Sequence, residues 1–292
     1  MDLTNAQSVQ LKARAKINLT LDVLSRRPSG YHDVEMIMQQ IDLYDLVTVT
    51  LISEKRIDLT CSDSFLPTDE RNIAYKAAQA MMTRFNLEVG FEIQIEKNIP
   101  VAAGLAGGST NAAAVIKGIN QLCKLGLSTE EMQGIGFELG ADVPFCFCEG
   151  AAIARGLGEI LEPIKGFENA WMILVKPSFG VSTKDVYGGL ELSEVNVHPD
   201  THKMIEALKT QNRKDILSGL VNVLETVTLK LYPKVEEIKQ TLMAFGAEGV
   251  LMSGSGPTVF AFYSSYEKAK KAHKKLKLQY SQCYLVATYN KQ

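Results

Sequence analysis

Residues 100–113 read Pro-Val-Ala-Ala-Gly-Leu-Ala-Gly-Gly-Ser-Thr-Asn-Ala-Ala, and no other stretch constrains the fold as much. Ahead of them Phe91, Ile93 and Ile95 alternate with Glu92, Gln94 and Glu96, the period of a half-buried strand. Behind them Ala112, Val115, Ile116, Ile119 and Leu122 recur at helical spacing, and Ser109, Thr110 and Asn111 are each competent N-caps. A strand, a loop almost without side chains and a helix start together make an anion site. Main-chain N–H groups converge there, the helix macrodipole is positive, and small residues let phosphate oxygens approach the backbone. The bland alternative is a tight turn whose small residues serve only packing. Several consecutive positions without bulk are more than such a turn needs.

Spacing excludes two widespread phosphate loops. A Walker A loop requires Gly-x4-Gly-Lys-Ser/Thr, and no Lys follows Gly107 or Gly108. The dinucleotide fingerprint requires Gly-x-Gly-x-x-Gly, which Gly104-Leu105-Ala106-Gly107-Gly108 does not supply.

Composition narrows the class. A chain of 292 residues with 46% hydrophobic and 22% charged residues can bury a sizeable core and is long for one small domain. A net charge of −2 argues against a nucleic-acid surface. Lys268, Lys270, Lys271, Lys274, Lys275 and Lys277 form a basic run, but Ala269, Ala272 and Leu276 interleave at helical spacing, so it reads as a solvated helix face. Asp2, Thr4, Asn5 and Gln7 occupy the place where the apolar stretch of a signal peptide would begin, and no apolar run is long enough to span a bilayer. The five cysteines are odd in number, scattered and without a Cys-x-x-Cys, which speaks against a disulfide framework or zinc knuckle. Cys146 and Cys148 are expected to share the buried face of an apolar segment. The expectation is a cytoplasmic protein with no nucleic-acid or membrane partner.

Along the chain, strands are expected at 11–24, 46–51, 56–61, 90–96, 150–155 and 170–176, with helices at 72–85, 110–125 and 128–139. Ser128-Thr129-Glu130-Glu131 has the form of a capping box. Residues 192–202 read as a polar loop containing Pro199. Helices follow at 201–211, 214–219 and 233–245. Strands at 249–252 and 259–263 then flank a second glycine loop, Ser253-Gly254-Ser255-Gly256-Pro257-Thr258. A helix at 265–278 and a strand at 281–287 complete an α+β pattern.

Two positions stand out chemically. In Ala13-Arg14-Ala15-Lys16-Ile17-Asn18-Leu19, Lys16 and Asn18 fall on one strand face, with Ile17 and Leu19 on the other. Alone, such a lysine reads as a solvated surface charge. Asp142, in Gly140-Ala141-Asp142-Val143-Pro144-Phe145, stands between a glycine turn and what reads as an apolar strand. It is either a placed acid or a turn cap.

Taken in order, Ala13–Leu19, Arg27-Pro28-Ser29-Gly30-Tyr31-His32, the Pro100–Ala113 loop, Gly140–Phe145 and Ser253–Phe260 resemble the GHMP kinases over nearly the whole chain. Gly30-Tyr31-His32 and the Lys16/Asn18 pair resemble the branch that phosphorylates a cytidine-diphosphate-linked polyol. The resemblance implies a GHMP kinase fold with a ribosomal-protein-S5-like N-terminal domain, residues 1–167, and a ferredoxin-like C-terminal domain, residues 168–292. It implies an active site in the cleft between them. It also implies ATP with Mg²⁺, a small-molecule alcohol substrate in non-mevalonate isoprenoid biosynthesis, no protein metal ligands, and a monomer or homodimer.

Individual roles come from the same resemblance. Asp142 would take the proton from the substrate 2-hydroxyl, and Lys16 would hold Asp142 ionised and steady the γ-phosphate. Asn18 would position the polyol, Tyr31 would stack on cytosine, and His32 would hydrogen-bond the base edge. Thr183 would line that pocket, with Tyr187 on the other face of the base. Pro100, Val101, Ala102, Ala103, Gly104, Leu105, Ala106, Gly107, Gly108, Ser109 and Thr110 would hold the ATP phosphates, with Asn72 and Lys97 near the adenine. Independently of the resemblance, a valine at Gly107 is expected to fill phosphate space and force a disallowed backbone angle. Ala102, Ala103 and Ala106 stand where some members carry glycine, and Thr110 where serine is usual. Two rivals stay open. One is a GHMP kinase for a sugar, homoserine or mevalonate, which would offer no base to Tyr31 and His32. The other is a catalytically silent homologue that senses a ligand, against which the presence of both Lys16 and Asp142 counts.

Overall fold

The computed structural model describes residues 7–291, so Asp2, Thr4 and Asn5 lie outside the described residues. The chain forms two compact units, and neither is one continuous stretch. The first comprises the described part of Met1–Ala15 with Leu43–Ile99 and Ala106–Phe147, and the second comprises Lys16–Asp42, Pro100–Leu105 and Cys148–Gln292. Two long strands, β1 (Ser8–Arg26) and β2 (His32–Ile52), contribute residues to both.

The first unit adds β3 (Ile57–Cys61), α1 (Ile73–Arg84), β4 (Gly90–Glu96), α2 (Gly107–Cys123) and α3 (Thr129–Leu139). In β4 the alternation is realised: Phe91, Ile93 and Ile95 are buried while Glu92, Gln94 and Glu96 are exposed. It pairs antiparallel with β2 from Leu46↔Glu96 to Ile52↔Gly90, and β3 joins its other edge in parallel. Both helices present small residues to this sheet. Ala74, Ala77, Ala78 and Met81 of α1 and Ala112, Ala113, Val115, Ile116 and Ile119 of α2 form one core with Val47, Val49, Phe91 and Ile93. At the start of α3 the capping box is present. Ser128 Oγ accepts from Glu131 N–H at 3.2 Å, and Glu131 Oε2 accepts from Ser128 N–H at 2.8 Å.

In the second unit follow β5 (Ala151–Gly156), β6 (Ile160–Ile164), β7 (Trp171–Lys176), α4 (Thr183–Gly188), α5 (Thr201–Thr210), α6 (Arg213–Ser218), β8 (Val221–Asn222), α7 (Glu225–Leu231), α8 (Pro233–Ala244), β9 (Gly249–Met252), β10 (Val259–Tyr263), α9 (Tyr266–Leu276) and β11 (Gln282–Ala287). β5 lies antiparallel to both β2 and β6, and β8 runs parallel to β1 at Thr20↔Val221. The last four strands make an antiparallel sheet ordered β11-β7-β10-β9, with α9 crossing between β10 and β11. Counted within that sheet the order is 4-1-3-2, the ferredoxin-like arrangement that the family resemblance implied. On α9 the alanine and leucine stripe is buried and the lysines face outward, as their spacing requires.

Several elements differ from their sequence reading. Residues 46–51 are only the end of β2, because Met36–Ile41 are buried on both faces and show no alternation. The apolar run after Asp142 is a buried 3-10 turn, Pro144–Phe147, not a strand. An unbroken apolar run cannot distinguish the two, and Pro144 lacks a ladder donor. Cys146 is therefore buried while Cys148, beyond the turn, is half-buried. The short β6, β8, α4 and α7 have too few residues for periodicity to reveal. Within the polar stretch 192–202 the chain makes a 3-10 turn at Leu192–Glu194. No helix among the described residues is long and apolar enough to cross a membrane.

Candidate active site

The helix that follows the glycine loop begins earlier than its side chains suggest. α2 starts at Gly107, its N-cap is Ala106 in the left-handed region (φ 57), and no side chain caps it. The expected caps lie inside the helix. Thr110 is buried and its N–H already bonds Ala106 O at 2.9 Å, while the Asn111 amide points at Asp45. Starting on Gly107 and Gly108 leaves the first N–H groups with no intrahelical acceptor and no acidic neighbour in the first turn. Such an end favours an anion.

Around this end the first unit is closely fitted. A Cβ added to Gly107 would lie 3.1 Å from Ile99 Cγ2 and 3.3 Å from Lys97 Nζ. The space at Gly107 is tight but can yield by a few tenths of an ångström, and the left-handed angles sit at Ala102, Gly104 and Ala106 instead. Lys97 is paired with buried Asp45, which the sequence reading missed. Asn72 caps α1, its Oδ1 accepting from Ala74 N–H at 3.0 Å and its Nδ2 donating to Pro67 O at 2.8 Å. Asp142 is half-buried in a corner fixed by Val143 N–H to Gly140 O at 3.1 Å and by Cys146 Sγ to Asp142 O at 3.2 Å.

Alanine in the left-handed region is strained by about 1–2 kcal/mol, against about 0.5–1 kcal/mol of extra chain entropy that glycine loses on folding. Ala106→Gly is therefore expected to raise stability by about 0.5–1 kcal/mol, read as a higher urea midpoint at unchanged slope. A lower midpoint would mean that the methyl contributes packing which outweighs its strain.

In the second unit the distant motifs converge. Lys16 and Asn18 share one face of β1, as the strand period predicts, but both are buried and Lys16 Nζ donates to Asn18 Oδ1 at 2.9 Å. The reading of Lys16 as a solvated charge is thus excluded. Asn18 Nδ2 donates to Met36 Sδ at 3.1 Å, which orients the amide. Lys16 N–H bonds Leu105 O at 3.2 Å, and Ser253 Oγ donates to Gly104 O at 2.9 Å. Gly104 has φ +72, and a Cβ on it would stand 2.2 Å from Ser253 O. The second glycine motif is therefore the seat on which residues 100–105 rest. Two polar residues that carried no sequence signal hold it: Asn222 Nδ2 donates to Met252 O and Gly254 O at 2.9 and 2.8 Å, and Thr228 Oγ1 to Ser255 O at 3.2 Å.

Thr183 joins this seat through a 2.9 Å hydroxyl contact with Ser255. The turn before it is pinned by Lys176, whose buried Nζ donates to Pro177 O and Phe179 O at 2.9 and 3.1 Å. Burial lowers the pKa of that ammonium. Next to it, α4 carries Tyr187, whose ring centroid lies 5.3 Å from that of His32 at an interplanar angle of 39°. Burial, with a smaller contribution from Arg26, lowers the His32 pKa, which keeps the imidazole neutral at pH 7 and able both to donate and to accept. Tyr31, at the tip of the preceding turn, is 65% exposed, a large aromatic face turned to solvent. The backbone of residues 100–105, a buried Lys–Asn pair and the His32–Tyr187 ring pair thus belong to one compact unit.

Comparison with known proteins identifies the family. Residues 72–150 match the GHMP kinases N terminal domain and residues 204–282 the GHMP kinases C terminal domain. The chain is 52% identical over 285 residues to the 4-diphosphocytidyl-2-C-methyl-D-erythritol kinase of Alkaliphilus oremlandii, covering 97% of this chain and 98% of that one. It is 49% identical over 285 residues to the enzyme of the same name from Alkaliphilus metalliredigens, covering 98% of each. A crystal structure of 4-(cytidine 5'-diphospho)-2C-methyl-D-erythritol kinase superposes with a TM-score of 0.84 at 29% identity, over 97% of this chain and 100% of that chain. With its glycine loops, its Lys16–Asn18 pair and these relatives in agreement, the chain belongs to the GHMP kinase family, in the group of the 4-diphosphocytidyl-2-C-methyl-D-erythritol kinases.

Proposed function

We propose that this protein transfers the γ-phosphoryl group of ATP to the 2-hydroxyl of 4-diphosphocytidyl-2-C-methyl-D-erythritol, giving the 2-phosphate and ADP in non-mevalonate isoprenoid precursor synthesis. The observation that carries the substrate is the aromatic set of exposed Tyr31 and the paired His32 and Tyr187 rings. Three aromatic groups suit a nucleobase, whereas a sugar, homoserine or mevalonate offers none.

In this reading Tyr31 and Tyr187 bracket cytosine, and neutral His32 hydrogen-bonds its edge. Thr183 lines the same pocket, and Asn18 orients the erythritol end. The Asp142 carboxylate accepts the 2-hydroxyl proton as the oxygen bonds to the γ-phosphorus, and the bond from that phosphorus to the β-phosphate oxygen breaks to release ADP. Lys16 steadies the transferring phosphoryl group. Backbone N–H groups of residues 100–110 hold the triphosphate, with Asn72 and Lys97 toward the adenine. ATP would come with Mg²⁺ bound to it, with no protein side chain assigned as its ligand. When bound, the ion neutralises phosphate charge. All five cysteines are free thiols, which supports a cytoplasmic setting.

Calorimetric titration with cytidine diphosphate tests the base reading. Tyr31→Ala should weaken binding by roughly 1–3 kcal/mol, the scale of base–aromatic stacking, while Tyr31→Phe binds like wild type. ATP affinity should not move in either variant. Should wild type ignore the base, or Tyr31→Ala bind it equally well, the cytidyl assignment fails and homoserine or mevalonate becomes the substrate to assay.

A further inference from the structure

The ladder between β2 and β4 runs from Ile52↔Gly90 to Leu46↔Glu96 and then stops, where the chain turns away into the glycine loop. Asp45, fully buried, stands at the first unpaired step. Its side chain takes over from the backbone. Asp45 Oδ1 accepts the N–H groups of Asn98 at 2.7 Å and Ile99 at 2.8 Å. Its second oxygen accepts Asn111 Nδ2 at 2.8 Å and pairs with the ammonium of Lys97, which is itself 3.4 Å from Asn111 Oδ1. Asn98 Nδ2 adds a bond to Tyr44 O at 3.0 Å.

One carboxylate therefore ties residues 97–99, where the chain enters the glycine loop, to the start of α2, where it leaves. A buried carboxylate is costly unless its lone pairs are filled, and four donors fill these. Fixing both stems removes in advance some of the ordering cost of gripping a ligand. The same pair sets the Lys97 ammonium 3.3 Å from the Cβ position of Gly107, beside the open N–H end of α2.

We propose that Asp45 is a positioning residue for ATP, acting through Lys97, Asn98, Ile99 and Asn111 to preset the phosphate loop before nucleotide arrives. The proposal rests on residues 100–110 being the ATP loop. A purely structural ion pair would look similar in the apo protein, so the test must separate binding from folding. Asp45→Asn keeps the shape and drops the charge; Asn111→Ala removes the bond to Asp45 and the longer one from Lys97 and leaves the ion pair intact. The KM for ATP should rise roughly 10- to 100-fold in Asp45→Asn and about 3- to 10-fold in Asn111→Ala, on the scale of lost charged and neutral hydrogen bonds. The KM for the cytidyl substrate should stay at its wild-type value. If both variants merely lose folded protein, so that the rate falls with neither KM changed, Asp45 is structural and the proposal is overturned. Should Asp45→Asn not fold, Asn111→Ala decides by the same criterion. Calorimetric ATP titration of the same proteins keeps the substrate question apart. Weakened ATP binding without any cytidyl turnover in wild type would uphold Asp45 and overturn the substrate reading, and unchanged ATP affinity would overturn Asp45 alone.

Discussion

Asp142→Asn is expected to lower kcat by about 10²–10⁴, the usual worth of a positioned general base, while leaving ATP affinity close to wild type. The carboxamide has nearly the same shape, so the corner held by Gly140, Val143 and Cys146 should survive. What it loses is the ability to accept the hydroxyl proton. Single-turnover rates with saturating ATP and cytidyl substrate measure this directly. Circular dichroism on the same sample separates a lost base from a lost fold. Near-normal turnover would make Asp142 a turn residue and remove it from the mechanism.

Gly104→Ala should be far more damaging than Gly107→Ala, although both glycines belong to the same motif. At Gly104 the added Cβ meets the Ser253 carbonyl at 2.2 Å, and the backbone sits at φ +72. The left-handed strain, the overpacking and the loss of the Ser253–Gly104 hydrogen bond together cost roughly 2–5 kcal/mol. Residues 100–105 would have to lift from their seat, so ATP binding should become undetectable. At Gly107 the tightest contacts are with Ile99 Cγ2 and the end of Lys97, which can yield by a few tenths of an ångström. Its cost should be about 1 kcal/mol or less, with measurable ATP binding retained. Urea denaturation with nucleotide titration compares the two, and equal losses would show that the seat on Ser253 is not what distinguishes them.

What was legible in the chain was local. Strand period alone put Lys16 and Asn18 on one face, and the structure joins them at 2.9 Å. Alternation in β4 and the small-residue loop after it announced a strand, a loop and a helix. The Ser128 capping box and the buried stripe of α9 were read correctly for the same reason. Each depends on residues no more than a few positions apart, where dihedral preference and side-chain period act directly.

The start of α2 was misread because Ser109, Thr110 and Asn111 are good caps in isolation, whereas Asp45 and the helix core claim Asn111 and Thr110. Burial on both faces hid the first half of β2, and the 3-10 turn at Pro144–Phe147 passed for a strand because an apolar run has no period.

By itself the sequence determined the glycine loop and the shared face of Lys16 and Asn18. Only the tertiary structure decided what holds them. Ser253 lies 149 residues from Gly104, Asp45 lies 66 from Asn111, and Asn222 lies 32 from Gly254. A single polar residue in a strand or loop carries no periodic signature of its distant partner. Its meaning is fixed when burial removes water and leaves its hydrogen bonds to be met by whatever the fold brings near.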